Sequence, residues 1–290
     1  MFIKFILGIL ITGLALPQPS GIIVKGISAS VSPGWQKSNQ LAIEPIITSP
    51  AAVIIDADSG QILYKKNQDE PRSVASITKL FTSYLYLQQT DADLERQITL
   101  QGSDERNGGQ RYVYRGETGT ARDFLNLALI PSDNSAAVAL ARAGGFSDNY
   151  AEIAASTLKN LGLVNTKFSE PSGLDNQDMS TAYEIAQLGR QIFKRQELAS
   201  IVNQPSYAFK PLNSDYTRQI PSTNDLLTSD LFEVTAGKTG YTTEAGYCLV
   251  LKAAGKSGKE LLIAVLGAPS SDARFQDAKI LMWWAMQNFK

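Results

Sequence analysis

"GYCLVLKAAGKSGKELLIAVLGA" occupies residues 246–268. Its two apolar runs flank a Gly-Lys-Ser-Gly stretch, so it reads as a β-hairpin turning at 255–258. "AAVIIDADSGQILYKKN" (51–67) gives a second hairpin signal, with "ADSG" between its runs. The two hairpins sit far apart in the chain. Between them, from Ser76 to about Lys194, the periodicity is largely helical, over 76–90, 121–143, 148–161 and 181–195. "SDARFQDAKILMWWAMQNF" (271–289) closes the chain as an amphipathic helix, with Trp283 and Trp284 read as core beside Ile280, Leu281 and Phe289. The economical arrangement is an α/β fold. One antiparallel sheet is built from both chain ends and flanked by helices, with a helical subdomain beside it.

The 290 residues are 43% hydrophobic and 19% charged, a globular composition with length enough for a real core. A net charge of −1 gives no electrostatic footprint for nucleic acid. There is no histidine, which excludes Ser-His-Asp and Cys-His catalysis and removes the commonest zinc ligand. Cys248 is the sole cysteine, so no intramolecular disulfide or cysteine metal cluster can form, and its apolar neighbours make it an inert core thiol. No metal or cofactor is implied.

Lys4 followed by the apolar run Phe5–Leu16 and Pro17 suits a secretory signal peptide, and a retained N-terminal membrane anchor is the alternative. Either places the mature protein outside the cytoplasm. Residues 17–48, rich in Ser, Pro, Gly and Gln, read as a linker, and 49–290 as the working domain.

"PRSVASITKLFTSYLYL" (71–87) places Ser76 and Lys79 one helical turn apart at the start of an apolar run. Positions i and i+3 share a helix face, so Lys79 can reach the Ser76 hydroxyl. A buried lysine beside other positive charge loses its proton readily, and a neutral amine can act as base for serine. Alone the pattern is weak, because Ser156–Lys159 in "EIAASTLKNLGL" repeats it inside a helix. Two further elements add weight: Ser132-Asp133-Asn134 at a loop-to-helix junction, and Lys238-Thr239-Gly240 just before the second hairpin. Their decoys are Ser147-Asp148-Asn149, which suits a helix N-cap, and Lys256-Ser257-Gly258 in the hairpin turn. Only 76, 132 and 238 give the order SxxK, SxN, KTG with each at an element end.

That ordered set is the signature of class A β-lactamases and penicillin-binding proteins. The wider text resembles the low-molecular-weight penicillin-binding proteins, the serine D-alanyl-D-alanine carboxypeptidases of the S11 peptidase type. The resemblance runs from about Ala51 to Phe289 through "VASITKLFTSYL", "TARDFLNLALIPSDNSAAVALA", "PSGLDNQDMSTAYEIAQLGRQI", "STNDLL", "GKTGYTTEAGYCLV" and "LLIAVLGAPSSDARFQDAK". It implies a β-lactamase/transpeptidase-like fold, peptidoglycan stem peptides as substrate and β-lactam antibiotics as covalent inhibitors. It further implies Ser76 as nucleophile, Lys79 as its base, and Ser132 as the proton relay to the leaving D-alanine. Lys238 would keep the site electropositive, and Asn134 would bind the substrate amide and help orient Lys79. Thr239, within Lys238-Thr239-Gly240, would bind the terminal carboxylate with Arg274 and Arg218. The backbone N–H groups of Ser76 and Tyr241 would form the oxyanion hole.

Three departures matter. The middle motif is SDN, the β-lactamase form, where these carboxypeptidases more often have SGN. Glu170, in "KFSEPSGLDN", lies where a lactamase-type glutamate would be sought, but its surroundings resemble the carboxypeptidase loop with Ser172 in place of a histidine. Glu170 therefore reads as a loop carboxylate. The chain ends at Lys290, directly after the last helix, where many such enzymes continue into a further domain. A class A-like β-lactamase and a penicillin-binding sensor or wall-binding module without turnover are the rival readings.

Overall fold

The computed structural model describes residues 35–38, 41–229, 232–255 and 258–290. The leader at 1–16, most of the linker, and Lys256 and Ser257 of the hairpin turn lie outside the described residues. All the described residues belong to one compact unit.

β1 (Ala51–Asp56) and β2 (Ile62–Lys66) form the first hairpin. β3 (Arg72–Ser73) leads into a single 3-10 turn, Ala75–Ile77, and then into α1 (Thr78–Gln89). β4 (Gln97–Thr99) and β5 (Thr118–Thr120) pair beside α2 (Ala121–Leu129), α3 (Asn134–Ala143) and α4 (Tyr150–Asn160). β6 (Met179–Ser180) pairs back onto β3 and precedes α5 (Ala182–Ile192) and α6 (Gln196–Val202). A small hairpin, β7 (Ser206–Phe209) with β8 (Arg218–Pro221), precedes the long strands β9 (Glu233–Thr242), β10 (Gly246–Ala254) and β11 (Glu260–Ala268). α7 (Ser271–Asn288) ends the fold.

The main sheet has the order β2-β1-β11-β10-β9, antiparallel throughout, so β1 and β11 join the two ends of the domain. Alternation divides its side chains between two cores. Val53, Ile55, Leu262 and Ala264 face the helical side with Ile185 and Leu188 of α5, whereas Ile54, Leu261, Ile263 and Val265 face Leu281 and Met282 of α7. Strands covered on both faces read as continuous apolar runs, which is why "LLIAVL" shows no polar alternation.

The helical expectation over 121–143 is corrected: the segment is two helices, α2 and α3, broken at Ile130–Asp133. Pro131 has no N–H to give the helix ladder, and Ser132 adopts φ +69°. The carboxylate of Asp133 then accepts from the backbone N–H groups of Ser135 (2.9 Å) and Ala136 (3.2 Å), starting α3 afresh. Asn149 stands at the N-cap of α4 but makes no side-chain cap bond, contrary to the reading of the second SDN. The two tryptophans also part company. Trp284 is 6% exposed and packs edge-on against Tyr64 and Phe289, while Trp283 is 59% exposed. Adjacent helix positions lie about 100° apart, so one buried stripe takes only one of them. The 3-10 turn, α6 and the β7–β8 hairpin have no clear periodic signal and were not expected.

Asp277 on α7 anchors the chain's entry into the domain. It accepts from the backbone N–H and hydroxyl of both Thr48 (3.1 and 2.9 Å) and Ser49 (2.7 and 2.5 Å), immediately ahead of β1. Asp277→Ala leaves these donors unpartnered where Ser49 is fully buried, a cost of about 3 kcal/mol. The thermal midpoint is expected to fall by roughly 6–12 °C, measured by circular dichroism.

Candidate active site

Ser76 is half-buried in a turn whose neighbours Ala75 and Ile77 are fully buried. Ala75 adopts φ +49°, a left-handed conformation that alanine takes only under constraint. Lys79, one turn further and fully buried, donates from Nζ to Ser76 Oγ (2.7 Å) and to the carbonyl of Ser172 (2.6 Å). Burial pushes the Lys79 pKa down to about 7, although the negative charges of Glu170, Asp133 and Asp178 pull the other way. When Lys79 is neutral, its N–H groups can still serve the Ser172 carbonyl and leave a lone pair facing the Ser76 hydroxyl.

The second pair is built the same way. Lys238, buried on β9, donates from Nζ to Ser132 Oγ (2.8 Å) and to the carbonyl of Thr239 (2.9 Å). Its pKa is lowered by burial first and then by the positive charges of Lys79 and Arg274. The φ +69° of Ser132 turns its hydroxyl out of the α2–α3 break toward this lysine. Asn134 donates from Nδ2 to the Gly108 carbonyl (2.8 Å), while its buried Oδ1 finds no hydrogen-bond partner among the described residues. It makes no hydrogen bond to Lys79; besides Ser76 Oγ, the partner of that lysine is the Ser172 carbonyl. No side-chain chemistry in the sequence could have revealed a main-chain carbonyl in that role.

β9 forms the edge of the sheet beside the Ser76 turn. A Cβ on Gly240 would lie 2.6 Å from the Val74 carbonyl oxygen, so only glycine lets strand and turn meet this closely. Thr239 Oγ1 shares a 2.6 Å hydrogen bond with Thr223 Oγ1, a residue that "STNDLL" does not single out because threonine in a loop carries no signal of its own. Tyr241 is exposed and stacks on Tyr247 with centroids 4.2 Å apart. Behind the strand, buried Arg274 donates from Nη1 to the carbonyls of Gly240 (3.3 Å) and Cys248 (3.4 Å), and burial lowers its pKa to about 10. Arg218 does not join this group. Its guanidinium is held by both oxygens of Glu117 and stacks on the Tyr114 ring, so its charge is paired within the protein.

The loop from Ser169 to Asp178 closes the site from the other side. Buried Asp178 accepts from Ser169 N and Oγ (both 2.6 Å) and from Thr78 Oγ1 (3.2 Å), while its own carbonyl accepts from Val74 N (3.2 Å). Gly173, at φ +76°, fits against the Ser76 turn so tightly that a Cβ would come 2.1 Å from the Ala75 carbonyl oxygen. The SxxK decoy is no part of this group: Ser156 is exposed and bonded to the Ile153 carbonyl (3.1 Å). Cys248 is buried, and burial raises its thiol pKa to about 11. No group of metal ligands occurs among the described residues.

The family model described as D-alanyl-D-alanine carboxypeptidase, peptidase S11, matches residues 38–270. The chain belongs to the peptidase S11 family. Among its relatives is a D-alanyl-D-alanine endopeptidase of Pseudomonas aeruginosa, 31% identical over 89% of this chain and 84% of the relative. A D-alanyl-D-alanine carboxypeptidase of Bacillus subtilis is 30% identical over 84% of this chain and 62% of its own length. The crystal structure of the Streptomyces K15 DD-transpeptidase superposes with a TM-score of 0.79 at 27% identity, covering 84% of this chain and 99% of that one. This S11 peptidase is a serine hydrolase of the D-alanyl-D-alanine carboxypeptidase class with the penicillin-binding-protein fold.

The geometry yields two predictions. Gly173→Ala drives a methyl group into the backbone beside Ser76, and acylation by penicillin is expected to fall by at least about a hundredfold, in line with the loss of one positioned transition-state donor. Intact-mass labelling kinetics measure it. A lysine acting as base must be unprotonated, so if Lys79 has that role the acylation rate is expected to rise with pH through about 7, the value to which burial lowers it. A rate independent of pH between 5.5 and 8.5, roughly this range about the lysine's midpoint, would exclude Lys79 as base.

Proposed function

We propose that the protein is an exported serine DD-carboxypeptidase that removes the terminal D-alanine from peptidoglycan stem peptides and is acylated by penicillin. The observation that carries this reading is the buried Lys79 bonded both to Ser76 Oγ and to a fixed carbonyl, with no histidine anywhere in the chain. Ser76 Oγ attacks the carbonyl carbon between the two D-alanines while Lys79 Nζ takes its proton. Negative charge on the carbonyl oxygen is met by the backbone N–H groups of Ser76 and Tyr241. The C–N bond then breaks. The departing amine takes a proton through Ser132, and Lys238 holds that hydroxyl and adds positive charge. Asn134 Oδ1 offers an acceptor for the substrate amide, and Thr239 with Arg274 favours the terminal carboxylate. Water hydrolyses the acyl-enzyme and restores the Ser76 hydroxyl. Export rests on Lys4 and the apolar run Phe5–Leu16, as a cleaved signal or a retained anchor.

A DD-endopeptidase activity on cross-linked stem peptides is a second reading, favoured by the fuller match to the endopeptidase relative than to the carboxypeptidase one, 84% against 62% of their lengths. The lactamase reading is disfavoured by Glu170. Its two oxygens already accept from Ser172 N (2.8 Å), from the single Ser172 hydroxyl (Oγ at 2.9 and 2.7 Å) and from Leu174 N (2.7 Å), so three of its roughly four acceptor sites serve the loop's own donors and the carboxylate is committed chiefly to folding it.

Mass spectrometry of the purified protein with penicillin, a stem pentapeptide and a cross-linked muropeptide tests these readings together. We expect a long-lived adduct on Ser76, none on Ser156, and release of D-alanine that disappears in Ser76→Ala. Rapid penicillin turnover would point instead to a lactamase, cleavage of the cross-link alone to an endopeptidase, and an adduct without any peptide product to a sensor.

A further inference from the structure

Glu170 is acidic, lies two residues from the carbonyl that holds Lys79, and takes no direct part in the steps above. We propose that Glu170 is a positioning residue for acylation: it folds the 170–174 turn so that the Ser172 carbonyl holds Lys79 against Ser76. This rests on Ser76 and Lys79 being the reacting pair.

The loop carries few restraints of its own. It has no regular secondary structure between Phe168 and Met179, and it contains Pro171 and a left-handed Gly173. What shapes it is the Glu170 carboxylate, which gathers the N–H of Ser172, the hydroxyl of Ser172 and the N–H of Leu174 about one point. Binding the N–H groups on both sides of Gly173 fixes the peptide plane between them, and that plane carries the Ser172 carbonyl to Lys79 Nζ at 2.6 Å. The neighbouring Pro171 carbonyl accepts from Thr82 Oγ1 (2.8 Å), so consecutive carbonyls of this turn dock on consecutive turns of α1. Ser172 thereby contributes its side chain to the carboxylate and its carbonyl to the lysine. Burying a carboxylate's partners in one short turn is a local restraint, and shifting a positioned base by about 1 Å is enough to cost on the order of a hundredfold in rate.

The charged and titratable groups around Lys79 come from three sides: Glu170 and Asp178 on the loop, Asp133 at the start of α3, and Lys238 on β9. Tyr150 of α4 reaches the same helix through Thr82. Of these, Glu170 is the acidic group with the largest effect on the lysine, and it favours the protonated form. Glu170→Gln keeps the shape and removes the charge, so the lysine becomes easier to deprotonate and the rate should begin to rise at a lower pH. Glu170→Asp keeps the charge but is one methylene short of the three donors.

The test is the rate of penicillin acylation against pH for the full chain, its Glu170→Gln and Glu170→Asp variants, and Ser76→Ala. Thermal midpoints are recorded alongside. The expected result is a high-pH plateau lower by at least about tenfold in Glu170→Gln, with its acid limb moved to lower pH. Glu170→Asp should lose rate on the plateau while its limb stays in place. A wild-type plateau in either variant overturns the proposal. So does a plateau loss in Glu170→Gln with an unmoved limb, which is what general loosening of the fold would give. If Glu170→Gln does not fold, the Glu170→Asp plateau decides the matter alone. Absence of any Ser76-dependent acylation in the wild-type chain would instead remove the reading of the reacting pair, and with it this inference.

Discussion

Burying the Lys79 nitrogen costs it the hydration that stabilises an ammonium ion, and the remainder of the site is arranged around that cost. A charged amine there needs acceptors, and the protein supplies a hydroxyl and a single carbonyl in place of a carboxylate partner. Three acidic groups stand nearby without bonding it directly, enough to keep it from being driven neutral altogether. The outcome is a lysine poised near neutrality, where a general base serves best. Lys238 completes the balance: a second buried lysine, backed by Arg274, makes the pocket hostile to further positive charge and receptive to an anion.

Holding such a pocket open to substrate while keeping its lysines dry requires close backbone contact. The Ser76 turn is gripped between Gly240 of β9 and Gly173 of the loop, with less room at each than a methyl group needs. Ala75 and Ser132 are both in the left-handed region, each next to or at a serine whose hydroxyl faces a lysine. Strain of this kind costs about 1–3 kcal/mol per residue and persists only where surrounding structure compels it. Here the compelling structure is the sheet, through β9, and the Asp178 carboxylate and carbonyl, which bind residues on both sides of Ser76.

The architecture was legible because the strongest signals were long. The hairpins at 51–67 and 246–268 could only be joined into one sheet, and the helix at 271–289 had to cover it. The pairing of Ser76 with Lys79 was legible too, since serine and lysine at helical spacing on one face can meet, as the 2.7 Å hydrogen bond between them shows. What stayed hidden lies in the backbone and in neutral residues. The Ser172 carbonyl has no letter of its own, and Thr223 looks like any loop threonine. Arg218 shows the same limit from the other side. A cation in a suitable stretch suggested an anion site, and the anion the fold supplies is Glu117, a pairing across about a hundred residues that is set by the fold alone.

The same logic explains the aspartate of the middle motif. The aspartate of SDN gives its carboxylate to four backbone N–H groups, those of Ser135 and Ala136 at the start of α3 and of Tyr112 and Val113 in the facing loop. Its task is to pin that loop to the helix that presents Asn134, which a glycine at this position could not do by the same means. Asp133 and Glu170 are thus both acids bound up in backbone donors, one setting the wall that holds Asn134 and the other the wall that holds Lys79. Two carboxylates near a serine nucleophile invite a reading as acid–base chemistry. Their hydrogen bonds make them structural acids instead, while the group bonded to the Ser76 hydroxyl is Lys79.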